Sequence, residues 1–184
     1  MRKVFLLMTA AAVLLGVIYC GNSKSQEIHV APNGATTTAQ LPDTLSTTTD
    51  QKSGIEFSYP KDLGYTYVTP TQWPPRFVNS LEPIACDLDT QTQAMSGATS
   101  STQTINGNSY CVWQTSEGAA GSVYVTYQLT YPKGGQYLTM SFTLRYPQCV
   151  NYPESQIATC QEEQAQFPLN TAIDAIAQSA KLPN

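Results

Sequence analysis

SVYVTYQLTYPKGGQYLTMSFTLRYP, residues 122–147, alternates apolar and polar residues on either side of a glycine pair. In its first half Val123, Val125, Tyr127, Leu129 and Tyr131 share one face, while Ser122, Tyr124, Thr126, Gln128 and Thr130 share the other. In its second half Leu138, Met140, Phe142, Leu144 and Tyr146 alternate with Tyr137, Thr139, Ser141, Thr143 and Arg145. Side chains of a strand point to opposite faces in turn. Period-two alternation on both sides of Lys133-Gly134-Gly135 therefore predicts two long antiparallel strands with one buried face.

Working outward, residues 109–115 read as a third strand, paired with 101–105 across the turn Ile105-Asn106-Gly107-Asn108. Residues 55–59 and 65–69 read as a further pair around Lys61-Asp62-Leu63-Gly64. Tyr-Pro recurs at 59–60, 131–132, 146–147 and 152–153. Proline lacks the N–H that a central strand needs, so the first three mark strand ends. Ser116-Glu117-Gly118-Ala119-Ala120-Gly121-Ser122 is a loop between strands rather than a phosphate cradle, because a strand follows it and no lysine closes it. Near the C-terminus the period changes. In PLNTAIDAIAQSAKL, residues 168–182, Leu169, Ile173, Ile176, Ala177 and Ala180 recur at steps of three and four behind Pro168 and Asn170. That is an amphipathic helix, expected on the apolar face of the sheet. The fold class is α+β, a single antiparallel sheet packed by a C-terminal helix.

The N-terminal third has a different character. Arg2 and Lys3 precede an uncharged apolar run at 4–19, whose helical length would be about 24 Å, slightly short of a ~30 Å hydrocarbon core. A positive start, a short apolar core and an abrupt polar switch describe a secretory signal or an N-terminal membrane helix, which we place at 1–21. LLGVIYCGNSK, residues 14–24, resembles a bacterial lipoprotein signal with Cys20 as the lipidated residue. Val17 and Ile18 fit that pattern, and Tyr19 departs from it. Lipidation at Cys20, an uncleaved anchor, and cleavage after Ser23 all stay open. Residues 22–53 hold no aromatic and carry Thr36-Thr37-Thr38 and Thr47-Thr48-Thr49. Such a stretch buries too little apolar surface to offset the entropy of ordering it, and reads as a disordered Thr/Ser-rich tether. From Gly54 aromatics are frequent, so 54–184 is the extracytoplasmic domain.

GIEFSYPKDLGYTYV opening the domain, the central antiparallel sheet and the closing LNTAIDAIAQSAKL helix resemble the PsbP-like group of exported domains. YCVWQTSEGAAGSVYVTYQLTYP followed by FTLRYPQC is similar to surface proteins of small-genome bacteria. The resemblance implies an αβα-type sandwich with an accessory or binding role, and supplies no catalytic motif.

Composition excludes several chemistries. A net charge of −4 with 12% charged residues does not suit nucleic acid, whose phosphates need clustered Lys and Arg. The one histidine, His29, lies in the tether, so Ser-His-Asp and Cys-His catalysis have no imidazole in the domain. Cys86, Cys111, Cys149 and Cys160 form an even set in an exported domain, and two disulfides are expected. Of three pairings we favour Cys149–Cys160, which closes a short loop, with Cys86–Cys111. No Cys-x-x-Cys occurs, and neither a metal nor a cofactor is implied.

Carboxylate pairs remain, Asp87 with Asp89 and Glu162 with Glu163, as a hydrolase would use. Solvated surface charge is the plainer reading of both. The binding feature is aromatic: Tyr65, Tyr67 and Trp73 cluster with Pro70, Pro74 and Pro75, and Tyr124 and Tyr137 lie on the polar faces of their strands. Exposed rings stack on sugars, peptides or lipid edges. The expected role is a non-catalytic binding or accessory domain, tethered to the membrane through its N-terminus, with an envelope protein or glycan as ligand. A carboxylate-dependent envelope hydrolase and a structural surface protein are the alternatives.

Overall fold

The 122–147 stretch forms the hairpin its alternation requires. The structure, a computed structural model, describes residues 44–82, 86 and 97–183. Strands β1 (Leu45–Thr49), β2 (Glu56–Pro60), β3 (Thr69–Ser80), β4 (Ala98–Ile105), β5 (Asn108–Ala119), β6 (Ser122–Lys133) and β7 (Gln136–Pro147) precede a 3₁₀ turn at Cys149–Asn151 and the helices α1 (Glu154–Gln166) and α2 (Leu169–Ser179). β6 and β7 pair antiparallel from Ser122↔Pro147 to Lys133↔Gln136. Gly134 and Gly135 turn the chain at φ of 59° and 79°, values that glycine adopts without a Cβ clash. Leu129, Leu138, Met140 and Leu144 from the apolar faces are all buried.

β4 and β5 pair as expected across Asn106-Gly107. β5 runs further than its sequence indicated: residues 116–119 belong to the strand, and only Ala120 and Gly121 make the turn to β6. Pro60 and Pro147 end β2 and β7, and Pro132 is one residue from the end of β6.

The architecture is α+β and mostly antiparallel, but it has two sheets, not one. β3-β7-β6-β5-β4 form a five-stranded sheet, and β1-β2 a separate two-stranded one. Residues 56–60 pair backward with β1 rather than forward with 65–69. The reason is local. The backbone N–H groups of Thr66, Tyr67 and Val68 all donate to the Glu163 carboxylate, so 66–68 has no N–H left for a ladder. β1 also lies inside the stretch read as tether. Its β-branched threonines suit a pleated strand once a partner is present, so 22–53 is not tether to its end. Residues 1–43, with the apolar run, Cys20 and His29, lie outside the described residues, as do Asp87 and Asp89.

One core joins the parts. Ile55 and Phe57 from the β1–β2 pair, Tyr110 and Val112 from β5, the inner faces of β6 and β7, and Ile173, Ile176 and Ala177 of α2 form a single buried cluster. α2 is fixed at its C-terminal end, where Lys133 Nζ donates to the carbonyls of Ala177 (3.1 Å) and Gln178 (2.8 Å), and Tyr131 Oη donates to Ala177 (3.0 Å). A cation at that end also complements the helix dipole. α1 was not foreseen, and only Cys160 of its residues is buried.

Candidate functional site

β3 begins at the proline-rich stretch and cannot keep a regular ladder. Between Gln72 and Arg76 it advances four residues, while β7 advances only from Thr143 to Ser141. Trp73, Pro74 and Pro75 occupy the resulting bulge, which re-aims side chains at the sheet edge. Trp73 packs edge-on against Phe142 and Tyr59, and its indole N–H donates to the Pro60 carbonyl at 2.8 Å. The ring is half-buried, with its polar atom satisfied.

Beside this bulge lies a groove of about 910 Å³, near the top of the ~300–1,000 Å³ range of ligand clefts. Thr48, Thr49 and Lys52 line one side, Trp73, Arg76 and Val78 the other. Neither Lys52 nor Arg76 has an ion-pair partner among the described residues. Asp50 sits between the walls but is already occupied. One oxygen accepts from Lys52 N, Ser53 N and Ser53 Oγ at 2.9, 2.9 and 3.1 Å, and the other from Phe77 N at 3.2 Å. Burial disfavours its charge, yet these donors prevail and hold the carboxyl below its ordinary range. The groove is thus net positive, with an indole and Val78 (56% exposed) as apolar contacts.

The aromatics singled out in the sequence do not form one surface. Tyr65 packs edge-on against Phe167 and Tyr67 against Tyr152. Tyr67 is buried, and burial followed by the nearby Glu163 charge raises the Tyr65 pKa. Tyr124 pairs with Arg145 and Tyr137 with Pro132, at opposite ends of the long hairpin. Eight residues of β7 separate those positions, roughly 27 Å at 3.4 Å per residue. Trp73 is the member that lines the groove. Lys52 and Arg76 carried no signal of their own. Asp50 did: an aspartate four residues before Gly54, at the head of Gln51-Lys52-Ser53, is a turn-forming residue.

Glu163 and Asp174 have structural roles. Glu163, read as surface charge, holds the 66–68 backbone, with N–H···O distances of 3.0 Å from Thr66 and 2.9 Å from Val68. Glu162 accepts from Gln166 on its own helix. Asp174, buried on α2, accepts from Tyr110 Oη (2.6 Å), Asn106 Nδ2 (3.0 Å), Asn108 Nδ2 (3.0 Å) and Gln178 Nε2 (3.5 Å). Burial opposes its charge, but these donors hold its pKa down. Burial, then the bond to Asp174, pushes the Tyr110 phenol well up.

Both expected disulfides are present. Cys86–Cys111 has a Cα separation of 5.3 Å, and Cys149–Cys160 one of 5.7 Å, within the usual range. No set of three or more His, Cys, Asp or Glu suited to a metal occurs among the described residues, and no helix among them is long and apolar enough to cross a membrane. No family model, curated protein or solved structure matches the chain.

Proposed function

We propose that this chain is a membrane-tethered, extracytoplasmic binding or accessory module, non-catalytic, which holds an envelope polypeptide or glycan in the groove beside Trp73. One observation carries the reading: a cleft lined by an indole and by two cations with no ion-pair partner among the described residues, while the carboxylate beside them is engaged by four donors. Two disulfides fit an oxidising compartment, and the apolar run at 4–19 supplies the tether, through Cys20 or as an uncleaved helix. On this reading the domain is a distant PsbP-like relative.

The hydrolase reading is less well supported. Asp50, Glu163 and Asp174 are each engaged by several donors, and among the described residues Asp50 is the only acid that lines the groove. Two measurements test the proposal. The intact mass of protein extracted from membranes is expected to show either a diacylglycerol adduct on a chain beginning at Cys20 or the full-length chain, with about four mass units gained on reduction. Binding of envelope peptides and glycans to the full chain is expected to weaken at least tenfold in Arg76→Glu. Free thiols in a cytosolic protein, or turnover of a bound glycan, overturn it.

A further inference from the structure

The two walls of the groove are strand edges, and they differ. We infer that β1 is an acceptor edge for an extended, acidic segment of a partner polypeptide, which adds to the β1–β2 sheet as a third strand. The inference rests on the binding role of the groove and specifies its ligand.

The direction of the β1 backbone follows from its neighbours. Glu56 exchanges both backbone bonds with Lys181 (3.2 and 2.7 Å), and Ser58 exchanges both with Ser179 Oγ (2.8 and 3.1 Å). Those two residues of β2 thus face the C-terminal segment, away from β1. Backbone groups alternate sides along a strand, so Phe57 and Tyr59 face β1, where Thr48 and Ser46 meet them. Asp50 N, donating to Ile55 at 2.8 Å, continues the same alternation. Leu45, Thr47 and Thr49 must then turn their N–H and C=O groups to the other side. β2 is the only ladder partner of β1 among the described residues.

β3, on the opposite wall, is closed to such pairing. Pro74 and Pro75 have no N–H, the bulge breaks the register, and Phe77 N is capped by Asp50. Prolines, bulges and covered donors are the means by which proteins blunt an edge. LSTTT in β1 has no proline or bulge, and its outward groups meet no partner among the described residues. An incoming strand would align on β1 and run past Lys52 and Arg76, whose charges call for acidic side chains. A second copy of this chain would bring its own uncharged LSTTT to the edge and leave both cations unmatched. A glycan has no backbone to match the alternating donors and acceptors.

The test is selection from a random dodecapeptide library on the full chain in lipid nanodiscs, with affinities by fluorescence anisotropy. Acidic sequences should be enriched. Their Kd should rise at least tenfold with Thr47→Pro, which removes an outward N–H along with the Thr47 Oγ1···Ser58 Oγ bond (3.0 Å). It should hold with Thr47→Val, which removes that side-chain bond alone. It should rise again with N-methylation of alternate peptide residues, which leaves the protein untouched. Arg76→Glu should weaken them comparably. Peptides that bind the groove but ignore both Thr47→Pro and N-methylation overturn strand addition and leave the groove reading standing. Enrichment of basic or uncharged sequences overturns the acidic partner. A dimer lost in Thr47→Pro makes a second copy the occupant instead. An acidic oligosaccharide that binds in an Arg76-dependent way where no peptide does assigns the groove to glycan. Failure of peptides and oligosaccharides alike removes the groove reading itself.

Discussion

The two helices are neighbours in sequence and are held by different physics. α2 buries Ile173, Ile176 and Ala177 to 2%, 1% and 0% exposure in the common core, whereas α1 buries Cys160 alone. α1 is kept in place by the Cys149–Cys160 bond, by Glu163 on the 66–68 backbone, and by Gln164 Nε2 donating to the Pro147 carbonyl at 2.7 Å. α2 is attached by area, which is non-directional and tolerant. α1 is attached by a few directional contacts, each of which matters singly.

The largest effect should follow from the area-bound helix. Ile176→Ala removes a fully buried side chain and should cost about 2–5 kcal/mol, read as a lower denaturant midpoint of the oxidised full chain with unchanged slope. A loss of only a few tenths would show that α2 does not depend on its apolar stripe. Next comes the covalent link. Replacing Cys149 and Cys160 together by Ser should cost about 2–4 kcal/mol, the usual range for a bond that constrains the unfolded chain. It should also make α1 the first site of proteolytic cutting, while α2 stays protected. Simultaneous loss of both helices would mean that they form one cooperative unit.

What could be read from the sequence divides along the same line. The hairpin and α2 announce themselves because burial imposes a period on a contiguous stretch. α1 has no such stripe, since its apolar positions do not decide where it sits. β1 was hidden for another reason. Thr47-Thr48-Thr49 has the composition of a tether, and only pairing with β2 over the Phe57 core makes it a strand. The Cys149–Cys160 pairing was legible as a short loop. The groove was half-legible. Trp73 and its prolines signal one wall locally, but Thr48, Thr49 and Lys52 belong to a distant segment that folding brings alongside. Tyr65 and Tyr67 looked like companions of Trp73 and instead pack under α1 and its neighbours.

A polar contact also secures α2, and it predicts pH dependence. The folded pKa of Asp174 lies below its ordinary value, as does that of Asp50. Their stabilisation is therefore fully present above the unfolded value of about 3.9, and is lost as pH falls through the folded value. The melting temperature should drop on acidification below about pH 4. Asp174→Asn should cost about 1–3 kcal/mol at neutral pH and flatten that acid limb, because the amide presents a donor to donors. An unaltered acid limb would assign the titration to other carboxylates.

The smallest effect sharpens the contrast most. Glu163→Gln keeps the shape of the side chain but leaves one oxygen for three N–H groups, and should cost about 1 kcal/mol. Hydrogen exchange at 66–68 should accelerate before any global change appears. Glu163 lies one turn beyond Cys160, so its position depends on the disulfide that pins that turn. Combined with Cys149→Ser and Cys160→Ser, the Glu163→Gln cost should shrink by at least about 0.5 kcal/mol, the coupling expected of groups in one contact network. Strict additivity would show that the carboxylate finds the 66–68 backbone without the bond. α1 would then have two independent attachments, and directional contacts would be as redundant as buried area.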